Sequence, residues 1–294
     1  MQASILIVSK NRKEELEFTL TVLARVIDLS VHEVLVFLDG CTDDSSILEN
    51  NIIWVRWYSS EKSIGASAAR YQLYPMAQGE ILFGFDDDAH PLNADFIDKT
   101  IRLFDSHSNV GIIAFQEVKG IYALDAEALA LTQSPDEEYY TNEFIGCGFS
   151  IRKKVYESTN GFPVWIDIYG EESCVALEVI AKGYDILYSN TIKVNHRVNK
   201  ELRKISGKNY FRFGNQLKNT TYYYLVYYPF PIVKIFKLYL HNFKKYALTD
   251  VTFFKIFFQT ILEAIWYLPK IMRYRKPVDN AILKNMGQLK NLEF

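Results

Sequence analysis

The chain has 294 residues, 49% of them hydrophobic and 15% aromatic, and a formal net charge of −2. That much apolar material buries the core of one large domain or two small ones and excludes a disordered chain. The near-neutral total hides a division. Residues 1–199 hold 16 Lys and Arg against 30 Asp and Glu, whereas residues 200–294 hold 17 against 5. A basic, aromatic-rich region of this kind suits an anionic membrane surface better than it suits nucleic-acid binding by the whole chain.

Residues 3–8 predict a strand that ends in the polar loop Ser9-Lys10-Asn11-Arg12, after which Leu16, Leu20, Leu23 and Ile27 recur at helical spacing. Residues 34–38 predict a second strand, with Asp39-Gly40-Cys41-Thr42-Asp43-Asp44-Ser45 as its loop and a short helix beyond. Residues 52–58 predict a third, before the small-residue helix start Gly65-Ala66-Ser67-Ala68-Ala69-Arg70. A fourth, buried strand covers Ile81, Leu82, Phe83 and Phe85 and runs into Asp86, Asp87 and Asp88. Alternation along an extended segment turns Asp86 and Asp88 one way and Asp87 the other, an arrangement suited to a hard divalent cation, Mn²⁺ or Mg²⁺; a solvated acidic loop is the alternative. Strands alternating with helices indicate an α/β fold with a mostly parallel central sheet, whose ligands bind beyond the carboxyl ends of the strands.

Residues 110–115 predict a further strand, and 116–142 give no clear pattern. Phe144 to Arg152 returns to the sheet, Asn160-Gly161 forms a turn, and a helix opens at Glu171-Glu172 and stops at Gly183. Short strands near 185–188 and 192–195 lead to His196. Beyond residue 200, segments 230–246 and 253–274 read as amphipathic helices of Phe, Tyr, Trp, aliphatic and basic residues, either an ordinary helical subdomain or an interfacial membrane device. The division expected is a catalytic domain over 1–199 and a helical region over 200–294.

Cys41, Cys147 and Cys174 show neither disulfide nor zinc spacing. The N-terminus carries no signal-peptide pattern, and no uncharged run reaches the roughly 20 apolar residues that span a bilayer. The expectation is a cytoplasmic protein, soluble or peripheral on the inner face of the membrane.

The order of these motifs, from Asp39-Gly40 through Gly65 with Arg70, Asp86 to Asp88, Gly161-Phe162, Gly170-Glu171-Glu172 and Gly183-Tyr184 to His196, resembles the family 2 glycosyltransferases over residues 3–200. The resemblance implies a GT-A fold and an inverting transfer of sugar from a nucleoside-diphosphate sugar, usually a UDP-sugar, to a saccharide or lipid-linked acceptor in bacterial surface polysaccharide or glycolipid assembly. It implies that Asp39 accepts from the base, with Ser9, Asn11 and Arg12 completing that pocket; a helix cap is the alternative role for Asn11. It places Arg70, Asp86 and Asp87 on the nucleotide-sugar and Asp86, Asp88 and His196 around the metal of a DXD motif. Glu172 is then the general base and Glu171 its neighbour at the acceptor; Trp165, just upstream, is either a platform for the acceptor sugar or a core residue. The second glutamate departs from the family's Glu-Asp pair, which keeps a non-catalytic sugar- or partner-binding module open. A nucleotidyltransferase is the other alternative, although Ser9-Lys10-Asn11-Arg12 lacks the glycines of a phosphate-cradling loop.

Overall fold

The computed structural model of the chain describes residues 1–199 and 208–292. Its first part alternates as β1 (Ala3–Ser9), α1 (Lys13–Val26), β2 (His32–Asp39), α2 (Ile47–Asn51), β3 (Arg56–Ser60), α3 (Ala66–Leu73) and β4 (Ile81–Asp86). Strands β1, β2 and β4 read as continuous apolar runs because both their faces are covered. Ile5, Ile7, Val34, Val36 and Phe83 join Leu16, Leu20 and Leu23 of α1 on one side. Leu6, Leu35, Phe37 and Leu82 join Ala69 and Leu73 of α3 on the other. Each such side chain contributes about 1.5–3 kcal/mol by leaving water, so these two layers hold the strand ends in fixed relation. The third strand begins at Arg56 rather than at residue 52, because the preceding short helix and its turn occupy the chain up to that point.

The chain continues through β5 (Ala89–Pro91), α4 (Phe96–Ser106), β6 (Val110–Lys119), α5 (Asp125–Leu131), β7 (Glu138–Thr141), β8 (Gly148–Arg152), α6 (Lys153–Ser158), α7 (Glu171–Ala181) and β9 (Asp185–His196). One nine-stranded sheet results, in the order β3-β2-β1-β4-β8-β6-β9-β5, with β7 pairing β9. Its first four strands are parallel, and β6 is parallel to β9. The sheet is more mixed than the sequence suggests, because β8 inserts antiparallel between β4 and β6, and β5 and β7 both run antiparallel to β9. The two short strands expected before His196 are one strand, whose register against β6 shifts between Phe115 and Gln116.

Among the described residues, four helices follow: α8 (Tyr210–Tyr227), α9 (Pro231–Asn242), α10 (Val251–Ile271) and α11 (Asn280–Met286). Asp250 starts α10 by accepting from the amides of Thr252 and Phe253 at 2.8 and 3.0 Å. Pro269 lies within the last turns of α10 without ending it. The segment Val251–Tyr274 is long and apolar enough by length and composition to cross a membrane, although Lys255, Glu263 and Lys270 interrupt it. The expected division at residue 199 falls beside residues 200–207, which lie outside the described residues. Beyond it, α8 engages the sheet-bearing part directly. Tyr227 Oη donates to buried Glu178 at 2.6 Å, and Asn219 Nδ2 donates to the carbonyls of Ile168 and Tyr169 at 2.8 and 2.9 Å.

Candidate active site

A cavity of about 750 Å³ opens beyond the ends of β1, β2 and β4 and is closed on its far side by the start of α7 and by Phe211, Arg212 and Gln216 of α8. The acidic cluster forms one wall. Strand β4 stops at Asp86, and this limits the alternation expected of the three aspartates. Asp87 and Asp88 occupy the turn before β5, and both reach Arg12, at 3.0 and 2.7 Å. Asp87 is buried and also accepts from Ser9 Oγ at 2.8 Å. Burial, only partly opposed by Arg12 and Ser9, pushes its carboxyl up to about 7. Ser9, Arg12 and Asp87 therefore brace the cluster while lining the same cavity.

Asp88 faces the other way as well, with its second oxygen 3.4 Å from His196 Nε2. His196 Nδ1 lies 2.5 Å from Glu117 on β6. Burial would lower the histidine, but its hydrogen bonds to Asp88, Cys147 and Glu117 win, and it is pushed up to about 12. The ring is thus an imidazolium between two carboxylates. Asp88, despite burial, is held well below the usual carboxylate range by His196 and Arg12.

Asp86, Asp88 and His196 each offer a donor atom within 4.8 Å of the others. Two carboxylate oxygens and one imidazole nitrogen are a set that Mn²⁺ accepts, and Mg²⁺ accepts the oxygens. A cation here has to compete with the proton on His196 and with Arg12. Glu117, Cys147 and His196 form a second such group, but burial pushes the Cys147 thiol up to about 12, which leaves a protonated and poor ligand.

The opposite wall carries Glu171 and Glu172. Gly170, at φ +105°, is the left-handed residue that lets the chain turn into α7. Tyr169 before it also has a positive φ, 72°, and Asn219 holds the carbonyls on this strained turn. Arg70 joins the two walls. Its guanidinium is 2.7 Å from Asp86, 3.4 Å from Glu171 and 3.5 Å from Glu172. Arg70 is buried and lines the cavity, where it positions three carboxylates. Gly146 makes room for this contact, since a Cβ there would stand 2.4 Å from Glu172 Oε1.

Glu171 is 3% exposed and leaves one carboxylate oxygen without a hydrogen bond among the described residues. Glu172 keeps 23% of its side chain exposed to the cavity. Burial raises both acids, and the charge of Glu172 raises Glu171 further, while Arg70 pulls both down.

Replacing Arg70 with Met leaves three carboxylates facing one another without a counter-ion. The expected loss is about 3–5 kcal/mol, or a fall in Tm of roughly 10 °C for a chain of this size. Mutual repulsion is the cause, so the deficit shrinks as pH falls and the glutamates protonate. Thermal unfolding of the variant at neutral and mildly acid pH checks both signs.

Asp39 lies at the same rim, but its carboxylate is already engaged. It accepts from Ser63 Oγ at 2.7 Å and from the amides of Ile64 and Gly65 at 2.6 and 3.0 Å. The segment before α3 is thereby tied to Asp39, which also lines the cavity. Asn11, at φ 54°, neither caps α1 nor stands free. Its side-chain oxygen accepts from the Thr42 amide at 2.7 Å and locks the loop after β1 to the loop after β2. Trp165 lies outside this cavity, lining a second one of about 720 Å³ with Tyr227 and Tyr274. Glu117, Phe211, Arg212 and Asn219 were missed by sequence reasoning. Only Glu117 carried a signal, as the continuation of a strand that was ended too early at residue 115.

The sheet, the acidic wall at its carboxyl edge and the facing glutamates define a protein of the GT-A glycosyltransferase type. Similar solved structures include the mannosyltransferase PcManGT from Pyrobaculum calidifontis in complex with GDP-Man and Mn²⁺, with TM-score 0.57 and 16% identity over 99% of this chain and 76% of that one. TarS 1-349 of S. aureus in complex with UDP-GlcNAc gives TM-score 0.60 and 15% identity over 93% and 84%. GalNAc-T7 with UDP, GalNAc and Mn²⁺ gives 0.62 and 14% over 92% and 57%. An uncharacterised protein of Haemophilus influenzae is 29% identical over 173 residues, 54% of this chain and 92% of that protein. Residues 4–157, just over half of the chain, match the family model described as Glycosyl transferase family 2. The chain belongs to that family and is a glycosyltransferase.

Proposed function

We propose that the chain is an inverting, divalent-cation-dependent transferase that moves a sugar from a nucleoside diphosphate to an acceptor hydroxyl. The observation that carries this reading is the single cavity with Asp86, Asp88 and His196 on one wall and Glu172 on the other. Glu172 takes the proton of the acceptor hydroxyl. The freed oxygen forms a bond to the anomeric carbon from one face while the bond to the diphosphate breaks on the other. One displacement inverts that carbon, and no protein nucleophile is needed.

Asp86, Asp88 and His196 would hold Mn²⁺ or Mg²⁺, which when bound neutralises the charge growing on the departing diphosphate. Arg70 holds Glu172 and Asp86 at a fixed separation, and Glu171, buried behind them, keeps water from that side. A UDP-sugar is the donor favoured here, because it is the usual donor implied by the motif order, and two of the similar structures hold UDP or a UDP-sugar. Phe211 and Tyr169, whose rings lie 6.4 Å apart at the cavity mouth, suit the apolar face of a saccharide acceptor.

The test is a panel of nucleotide-sugars with and without Mn²⁺. The cognate donor is expected to raise Tm by about 5 °C or more at saturation, only with the cation, and to be slowly hydrolysed without acceptor. Stabilisation without any hydrolysis would identify a binding module.

A further inference from the structure

Helix α9 buries none of its residues. Leu238 and Tyr239 pack toward Phe257, while Ile232, Val233 and Phe236 face outward, 79%, 60% and 65% exposed. Helix α10 has two apolar faces. Phe253, Phe257, Thr260 and Ala264 are buried against the rest of the protein. Phe254, Phe258, Leu262 and Ile265 repeat at the same spacing on another flank and are 42%, 43%, 67% and 64% exposed, beside Trp266 at 80%. A monomeric soluble protein rarely leaves so continuous an apolar surface open.

The charge beside this surface has one sign. Lys234, Lys237, Lys244, Lys245, Lys255, Lys270 and Arg273 lie along α9, α10 and the links at their ends. Across residues 230–276 the acidic residues are Asp250, paired with Lys208, and Glu263, paired with Lys218. Where α9 meets α11, Lys234, Lys237 and Lys284 surround a cavity of about 330 Å³ whose floor includes Phe230 and Val233. An apolar face rimmed by lysines, with a cationic hollow at its edge, is complementary to acyl chains beneath anionic headgroups.

We propose that the outward face of α9 and α10 docks in the plane of an anionic phospholipid bilayer, with a lipid phosphate seated between Lys234, Lys237 and Lys284. The buried stripe of α10 decides against a transmembrane path. Withdrawing that helix across a bilayer would strip Phe253 and Phe257 from the core they share with Phe213 and Leu217 of α8. The docking is independent of the transfer chemistry, and its test reads binding without turnover.

The full chain is mixed with vesicles of phosphatidylcholine alone or with added phosphatidylglycerol and then sedimented. Wild type is expected to pellet with the anionic vesicles at least tenfold more than with the neutral ones, to be released by alkaline carbonate, and to resist competition by inorganic phosphate. Leu262→Ser/Trp266→Ser and Lys234→Glu/Lys237→Glu, both on exposed positions, are each expected to lose tenfold or more of that binding at unchanged Tm. Equal binding to neutral vesicles, release by phosphate, or retention after carbonate would overturn the proposal. So would a dimer in solution that Leu262→Ser/Trp266→Ser dissolves, since a second copy would then cover the face.

Discussion

Glu172→Gln is expected to lower kcat by about 1,000-fold, within the range for removal of a proton-transfer group, while leaving donor affinity within about twofold. Glutamine keeps the size of the side chain and the contact to Arg70 but cannot accept the acceptor's proton. The loss should therefore appear in kcat and not in KM for the donor. The wild-type pH profile gives an independent reading of the same group. Both glutamates titrate above their ordinary value of 4.5, so turnover is lost on the acid side at a pH above the usual carboxylate range. That acid limb is expected to disappear from the residual activity of the variant.

Stability moves in the opposite sense. A carboxyl whose folded pKa is raised stabilises the fold fully below its unfolded value near 4.5, and that contribution is lost as pH rises through the folded values. Once pH passes the folded value of Glu171, about 8, the wild type carries two repelling carboxylates, and Glu172→Gln removes one. The variant should match wild-type Tm in acid and equal or exceed it in alkali. A transferase whose activity survives Glu172→Gln, with the same pH profile, would need a different base.

Asp88→Asn is expected to reduce Mn²⁺-dependent donor binding by on the order of 100-fold or more, with a comparable fall in kcat/KM. Asp88 is the residue on which Arg12 and His196 converge, so the amide variant also loosens the wall that faces the donor. Calorimetric titration of Mn²⁺ in the presence of a nucleoside diphosphate measures the loss directly. Glu117→Gln is the informative partner. Glu117 lies outside the proposed ligand trio but fixes His196 from behind at 2.5 Å, so a fall of about 10- to 100-fold in metal affinity is expected from orientation alone. If Asp88→Asn retained full Mn²⁺ dependence, the cation would have to be held elsewhere.

Much of the site was legible before any fold was known, because the groups concerned sit at strand and helix ends that hydrophobic patterning locates. The end of β4 at Asp86, the start of α7 at Glu171 and the position of His196 at the end of β9 all follow from local sequence. The contacts that could not be read in advance are those of long, charged or amide side chains. Arg12, Arg70 and Asn11 can reach several partners from one backbone position, and no periodicity selects among them. Asp39 is a similar case, since its place at the rim was readable but its hydrogen bonds to the segment before α3 were not.

Composition and pattern by themselves determined an α/β chain with acidic loops at the carboxyl ends of its strands and a basic, aromatic helical region after them, since burial and backbone preference act over a few neighbouring residues. Tertiary structure alone decided how those charges are balanced. Arg70 meets Glu171 from 101 positions away and His196 meets Glu117 from 79. Pairings at that range depend on which strands lie side by side, and β8 entering between β4 and β6 is a property of the assembled sheet that no local stretch encodes.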